Sequence, residues 1–453
     1  MIEVFFGTQP LYQVGFSNQG GSAMREQAVL SDQHQYGPLL SMLNQRRPLF
    51  ATAEDPVARL QGRLLVWLKS LGMDANPFDA KYLDAGSDPF LASYLVGHHA
   101  FQAIRQPQPS LCFAPVGGGK SAFRVRLARA CRVNEDGQQV LPLVYTLSNP
   151  TKLTQGNILE QHLHFLNQRF AVELLFTLAY RPDGYLAQPV AVRRQISAHL
   201  QANFPGAIET QLQQVTAKGD LLPLIKLADP SAGHLIALPS RPQLDEFCKA
   251  LQADLAMNRA LSDEFKRLTP ASRFQRLVEI TKDELGRTAI YILVDGVDAY
   301  VEAMTPQRKQ ISDLLMPLAQ QTALWTKMQV YVKYFLPTEF VQILKLPDFV
   351  ASGAIVNLKL VHIEWTPTML AEVLQERIRF ASHGHYTTLD QICAADLSQL
   401  QQQIVAAAKP LPREVLVLAE RVLLAHVERT REPDLLEQID FDAAKAWYDG
   451  GGR

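Results

Sequence analysis

Leu111-Cys112-Phe113-Ala114-Pro115-Val116-Gly117-Gly118-Gly119-Lys120-Ser121 decides the fold of this chain. Leu111 to Phe113 is a short apolar run that reads as a strand. The three glycines that follow let the backbone turn inward where a Cβ would clash. Residues 120–132 then have helical spacing, with Arg124, Arg126, Arg129 and Arg132 expected on the exposed side. Strand, glycine-rich loop and helix make one β-loop-α unit. Further along, Ile290-Tyr291-Ile292-Leu293-Val294 is almost wholly apolar, as expected of a strand in a parallel sheet covered on both faces. It ends in Asp295-Gly296-Val297-Asp298. Residues 140–147, 330–335 and 355–363 read as further strands, and residues 307–325 as a helix between them. This alternation predicts an α/β fold with a parallel sheet flanked by helices.

The loop carries chemistry. With Ala allowed at its first position, Ala114-x4-Gly119-Lys120-Ser121 fits the phosphate-binding pattern, so a P-loop NTPase sheet is expected. Backbone N–H groups of Pro115 to Ala122, proline excepted, would face phosphate oxygens at the positive end of the following helix. Pro115, Val116, Gly117, Gly118, Gly119, Lys120, Ser121 and Ala122 are therefore the candidate ATP-binding residues. Lys120 would reach the β- and γ-phosphates, and Ser121 would ligate Mg²⁺. Asp295, ending its strand, is the second candidate metal residue, holding a Mg²⁺-bound water opposite Ser121. Asp298 is the candidate for polarising the attacking water. Its side chain is shorter than the glutamate often found there, so turnover is expected to be slow. Lys333, in the next strand, is the candidate γ-phosphate sensor. Arg413, at the start of a late helix, could swing onto the phosphates.

The remaining sequence bounds the setting. The 453 residues are 47% hydrophobic, enough for a substantial core, and 44 basic against 45 acidic residues give no overall field toward nucleic acid or membranes. Cys112, Cys131, Cys248 and Cys393 are far apart and suggest neither a zinc site nor a disulfide framework. No run reaches membrane-spanning length, and the start lacks a secretion signal, so a cytoplasmic protein without membrane contact is expected. Residues 1–50 read as an irregular arm with one short helix, within an arm-and-helix region 1–89. The ATPase core is expected in two parts, 90–150 and 286–364. A long helical insertion, 151–285, separates them, and an all-helical lid, 365–453, follows. The histidines offer no metal constellation: His162 and His164 point apart on one helix.

These features together resemble a known group. Val96-Gly97-His98-His99-Ala100-Phe101 stands where a Val-Gly-Arg-Glu-type motif precedes the P-loop in the STAND ATPases, the NACHT-related signalling class, and in initiator-type AAA+ ATPases. That resemblance places Val96 and Gly97 near the adenine. Asp295-Gly296-Val297-Asp298 is similar to the Asp-Gly-Leu-Asp Walker B form of NACHT-like members. Leu411-Pro412-Arg413-Glu414 resembles the Asn-Pro-Arg sensor 2 motif of origin-recognition-like ATPases. Departures are His98-His99 for Arg-Glu, Ala114 for the first P-loop glycine, and the absence of any arginine between Lys333 and Glu364. Arg308 is left as the candidate trans-acting finger. The resemblance implies an ATP-driven molecular switch that forms a homo-oligomer or recruits a partner, as in bacterial defence systems. Its effector or sensor is expected to be a separate protein, or residues 151–285. A DNA-associated ATPase of the initiator or transposition-regulator type is the alternative, with nucleic acid as partner, and a scaffold that holds ATP without hydrolysing it is a further one.

Overall fold

The computed structural model describes residues 2–6, 9–14, 26–30, 56–79, 88, 91, 94–135, 137, 139–147, 157–229, 238–297, 308–343, 358–432 and 434–451. They fall into two compact units, Met1–Arg63 and Leu64–Arg453. In the first unit the expected irregular arm contains strands instead. β1 (Ile2–Phe6) lies between β2 (Gln9–Val14), antiparallel to it, and β3 (Glu26–Leu30), parallel to it. Its β-branched and aromatic residues suit a pleated strand, and pairing on both sides satisfies its backbone groups. Helix α1 (Pro56–Ser70) follows, and the chain turns at Gly72 with φ +76°. The short helix expected around residues 39–43 lies outside the described residues.

The second unit is built on a five-stranded parallel sheet: β4 (Ser110–Ala114), β5 (Val140–Thr146), β6 (Ala289–Asp295), β7 (Val330–Pro337) and β8 (Lys359–His362). The strands lie in the order β5-β6-β7-β4-β8, so β7 separates the glycine-loop strand from the Asp295 strand. Alternation along each strand divides the core in two. Cys112, Ala114, Tyr291 and Phe335 pack on one face under α2 (His99–Arg105) and α3 (Lys120–Val133). Leu111, Phe113, Leu143, Ile292 and Leu336 pack on the other, under α4 (Ile158–Tyr180) and the helices after it.

Residues 157–285 therefore do more than interrupt the strand sequence. Helix α4 has buried residues all around its circumference, including Leu166, Phe170, Leu174 and Phe176, because sheet lies on one side and further helices on the other. Helices α5 (Val190–Asn203), α6 (Ile208–Lys218), α7 (Leu222–Ala228), α8 (Arg241–Met257), α9 (Arg259–Arg267) and α10 (Pro270–Glu279) complete this layer. The expected helix at 307–325 is two, α11 (Arg308–Gln320) and α12 (Thr322–Lys327). After β8 the chain is helical: α13 (Pro367–Ala381), α14 (Leu400–Ala407), α15 (Pro412–Arg429) and α16 (Gln438–Asp449). Thr366 caps α13 by accepting from the Met369 N–H, with Pro367 in the first turn. The end of α1 and the segment after it are tied to this region: Trp67 Nε1 donates to the Asp434 carbonyl, between α15 and α16, at 3.0 Å, and Asn76 donates to Glu420 of α15 at 3.0 Å. Among the described residues no helix is long and apolar enough to cross a membrane.

Candidate functional site

The glycine-rich loop leaves the carboxyl end of β4, an inner strand of the sheet, and enters α3 directly. Gly117 and Gly119 have φ of +81° and +88°, left-handed values that a side chain resists. At Gly118 the constraint is space: a Cβ would lie 2.8 Å from Ala114 Cβ and 2.9 Å from the Pro115 carbonyl oxygen. The consecutive glycines are thus required by the loop's own geometry. Pro115 and Val116 are exposed, Gly118 and Lys120 are buried, and Ser121 and Ala122 lie part-buried in the first turn of α3. Lys120 Nζ folds back and donates to the Ala114 and Pro115 carbonyls, at 3.1 Å each.

Three separate segments meet the loop. Trp365, directly after the last strand, donates from Nε1 to the Gly118 carbonyl at 3.0 Å, with its ring edge 3.3 Å from the place of a Gly119 Cβ. Arg413, at the start of α15, donates its backbone N–H to the Gly117 carbonyl at 3.3 Å, and its Cβ lies 3.0 Å from the place of a Gly117 Cβ. His98 packs edge-on to Phe123 and Trp365, at 5.0 Å from each ring centroid. Its Nε2 donates to the Glu364 carbonyl at 2.9 Å, while Nδ1 accepts from the Ala100 N–H and caps α2. Burial lowers the His98 pKa, against the pull of the Glu364 bond, and holds the ring neutral. Beside it, Arg126 donates to the Val96 carbonyl at 2.8 Å, and Gly97 faces open space. The structure thus brings Arg413 and Trp365 to the glycine loop, and ties Val96 to α3 through Arg126. Sequence reasoning missed Trp365 and His98 here; an aromatic residue between the last strand and a Thr-Pro helix start was the available signal.

Asp295 ends β6 opposite Thr146 of β5. Its Oδ2 accepts from Arg124 Nε at 3.0 Å, and its Oδ1 accepts from the Gly296 N–H at 2.8 Å. The arginine face expected in solvent is corrected here, since Arg124 and Arg132 are only 5% and 6% exposed. Arg124 also donates to Asp229 at 3.2 Å, and Arg132 spans Asp229 at 3.2 Å and both oxygens of Glu173 at 2.8 Å. Burial alone would lower the Arg124 pKa; Asp229 and Asp295 outweigh it and raise the value. Arg169 reaches the same place, donating to the carbonyls of Val144, Leu227 and Ala228. Buried guanidinium groups persist only when paired in this way. The Asp295 carboxylate is therefore linked through α3 to the helical layer.

Lys333 is not brought to the loop. It pairs in register with Ser110 at the amino end of β4, whereas Pro337 pairs with Ala114 beside the loop. The side chain is fully buried, and Nζ donates to the carbonyls of Gln106 and Gln108 at 2.5 and 2.8 Å. β7 continues beyond the expected end at 335, so its tip is Pro337, and the Thr338 N–H donates to the Ala114 carbonyl at 3.2 Å. Asp298 and the side chain of Arg308 lie outside the described residues. His162 is buried, bonded to the Tyr145 hydroxyl at 2.6 Å and the Leu314 carbonyl at 2.8 Å. Compared with known proteins, the chain matches no family model, no curated protein and no solved structure.

Proposed function

We propose that the glycine-rich loop is a P-loop that binds ATP with Mg²⁺, and that the chain is a slowly hydrolysing AAA+/STAND-like switch. The observation that carries this reading is the cradle at Gly118, which a Cβ would fill, at the amino end of α3 and the carboxyl end of an inner strand. In parallel α/β sheets this is where ligands bind. Residues 116–122 would hold the phosphates, and Ser121 and Asp295 the metal. Bound Mg²⁺-ATP supplies a phosphoanhydride bond for hydrolysis.

The chain's own residues do the rest. Lys120 Nζ exchanges the Ala114 and Pro115 carbonyls for phosphate oxygens. Asp295, which here accepts from Arg124, would be released from it to help hold Mg²⁺, leaving Arg124 on Asp229. Arg413 and Trp365, already against the loop, close the C-terminal helices over it, and Asp298 orients water. A shift of Arg124 reaches the helical layer through Asp229, which gives the nucleotide a route to an oligomer contact or a separate effector. The charge network argues against the DNA-associated alternative, because two of the four α3 arginines, the basic cluster nearest the loop, are buried in ion pairs.

The test is equilibrium binding of fluorescent ATP. Each charge-assisted hydrogen bond that Lys120 makes to phosphate is worth about 1.5–3 kcal/mol, so Lys120→Ala should weaken binding by roughly tenfold or more. Equal affinity in both proteins would remove the loop from the account.

A further inference from the structure

A cavity lies at the far end of the sheet from the glycine-rich loop. It has a volume of about 480 Å³ and is reached from the residues that precede β5 and β6, Gln139 and Arg287, and from the end of α4 and the turn after it. Leu178, Tyr180 and Leu285 give it an apolar wall, and Gln139 and Gln243 supply amides. Arg181 and Arg287 both line it.

The two arginines are the unusual feature. Arg287 is partly buried, and among the described residues its guanidinium has no hydrogen bond or ion pair. Burial lowers its pKa and the neighbouring Arg181 lowers it further, against a weaker pull from Glu173. Glu173 is itself occupied, accepting from Arg132 with both oxygens at 2.8 Å. Arg181 makes one long bond, at 3.4 Å, to the Arg132 carbonyl. Asp183, the carboxylate of the lining, is exposed and pairs with neither arginine. Arg124 and Arg132, by contrast, are matched by carboxylates, and the part-buried Arg169 by three backbone carbonyls. Two adjacent guanidinium groups at a cavity without such a match lack an anion.

We propose that this cavity binds a small organic phosphate, with Arg287 and Arg181 gripping the phosphoryl group and the Leu178–Leu285 wall covering the organic part. Planar guanidinium forks match phosphate oxygens two at a time, which favours this class over a lone halide or a cation. The volume is that of ordinary small-molecule sites. This inference does not rest on the nucleotide reading of the glycine-rich loop.

The experiment is calorimetric titration of the full chain carrying Lys120→Ala, which removes the loop lysine from the measurement, with AMP, inorganic phosphate and adenosine as probes. AMP is expected to bind one site, phosphate more weakly, and adenosine not measurably. Adding Arg287→Ala should weaken AMP by roughly tenfold or more, one charge-assisted contact being worth about 1.5–3 kcal/mol. The variant should melt no lower than its parent, since it relieves a like-charge contact. Arg287→Lys, which keeps the charge and loses the fork, should fold as the parent does and bind in between. Silence from both AMP and phosphate, adenosine binding as well as AMP, unchanged AMP affinity in Arg287→Ala, or a markedly lower melting temperature in both Arg287 variants would overturn the proposal.

Discussion

Gly118 shows how narrowly one residue can set this site. Its Cβ would meet Ala114 Cβ and the Pro115 oxygen inside 3.0 Å, so Gly118→Ala must move the loop backbone. Overpacking of this kind costs about 1–3 kcal/mol. The variant should stay folded by circular dichroism but lose most of its ATP affinity; unchanged affinity would mean that the cradle is not where phosphate sits. Lys333 gives a prediction of the opposite kind, about stability alone. Burial pushes its pKa down from 10.5 to about 7. Between these values the unfolded chain holds a proton that the folded chain does not. Stability should then rise with pH across that window, by about 1.4 kcal/mol per unit from this group. Lys333→Met removes the term, so its stability advantage over the natural chain should be greatest at or below pH 7 and shrink toward pH 10.5, as measured by urea unfolding. The two residues also mark what the sequence could tell. Three glycines before Lys-Ser disclose their purpose because the constraint is local. Lys333 was expected within reach of the γ-phosphate because residue type and apolar pattern locate a strand but not its end. Two further residues of β7 moved the tip to Pro337.

At the scale of elements, the strands of the parallel sheet and most helices follow from periodicity, whereas the three strands near the start of the chain, strand order and layer membership do not. Nothing in the apolar run of β6 says that β7 lies between it and β4. The long helical stretch between β5 and β6 was readable as helix, but its role as a full sheet layer emerges only from contacts such as Phe170 and Leu174 in the sheet core. The charge network shows the same limit. Helical spacing placed Arg124 and Arg132 on one side of α3, but their partners Asp229 and Glu173 lie 105 and 41 residues away in sequence. The side expected in solvent is therefore an interface. Removing one member of a buried ion pair typically costs about 3–5 kcal/mol. Arg132→Met should lose stability in that range by urea denaturation, since Glu173 is then buried without its bidentate partner. A loss under about 1 kcal/mol, the size of an exposed pair, would show that the helical layer is not fastened there.

For the whole molecule, the proposed nucleotide site lies at one end of the sheet, against helices that can report its state. Arg413 and Trp365 bring the C-terminal helices to the glycine loop, and Arg124 brings the helical layer to Asp295. A switch of this form needs a differential contact in its two states. The release of Asp295 from Arg124 would supply one. On the proposed reading turnover would be slow, because Asp298 is shorter than the glutamate often found at that point of the sequence motif. If nucleotide at the loop changes what the chain assembles with, light scattering will detect it. The mass of the natural chain and of Lys120→Ala should be measured without nucleotide, with ADP, and with ATP and Mg²⁺. The natural chain should form a larger particle only with ATP and Mg²⁺, and Lys120→Ala should not change; one mass under all conditions in both proteins would rule the switch out.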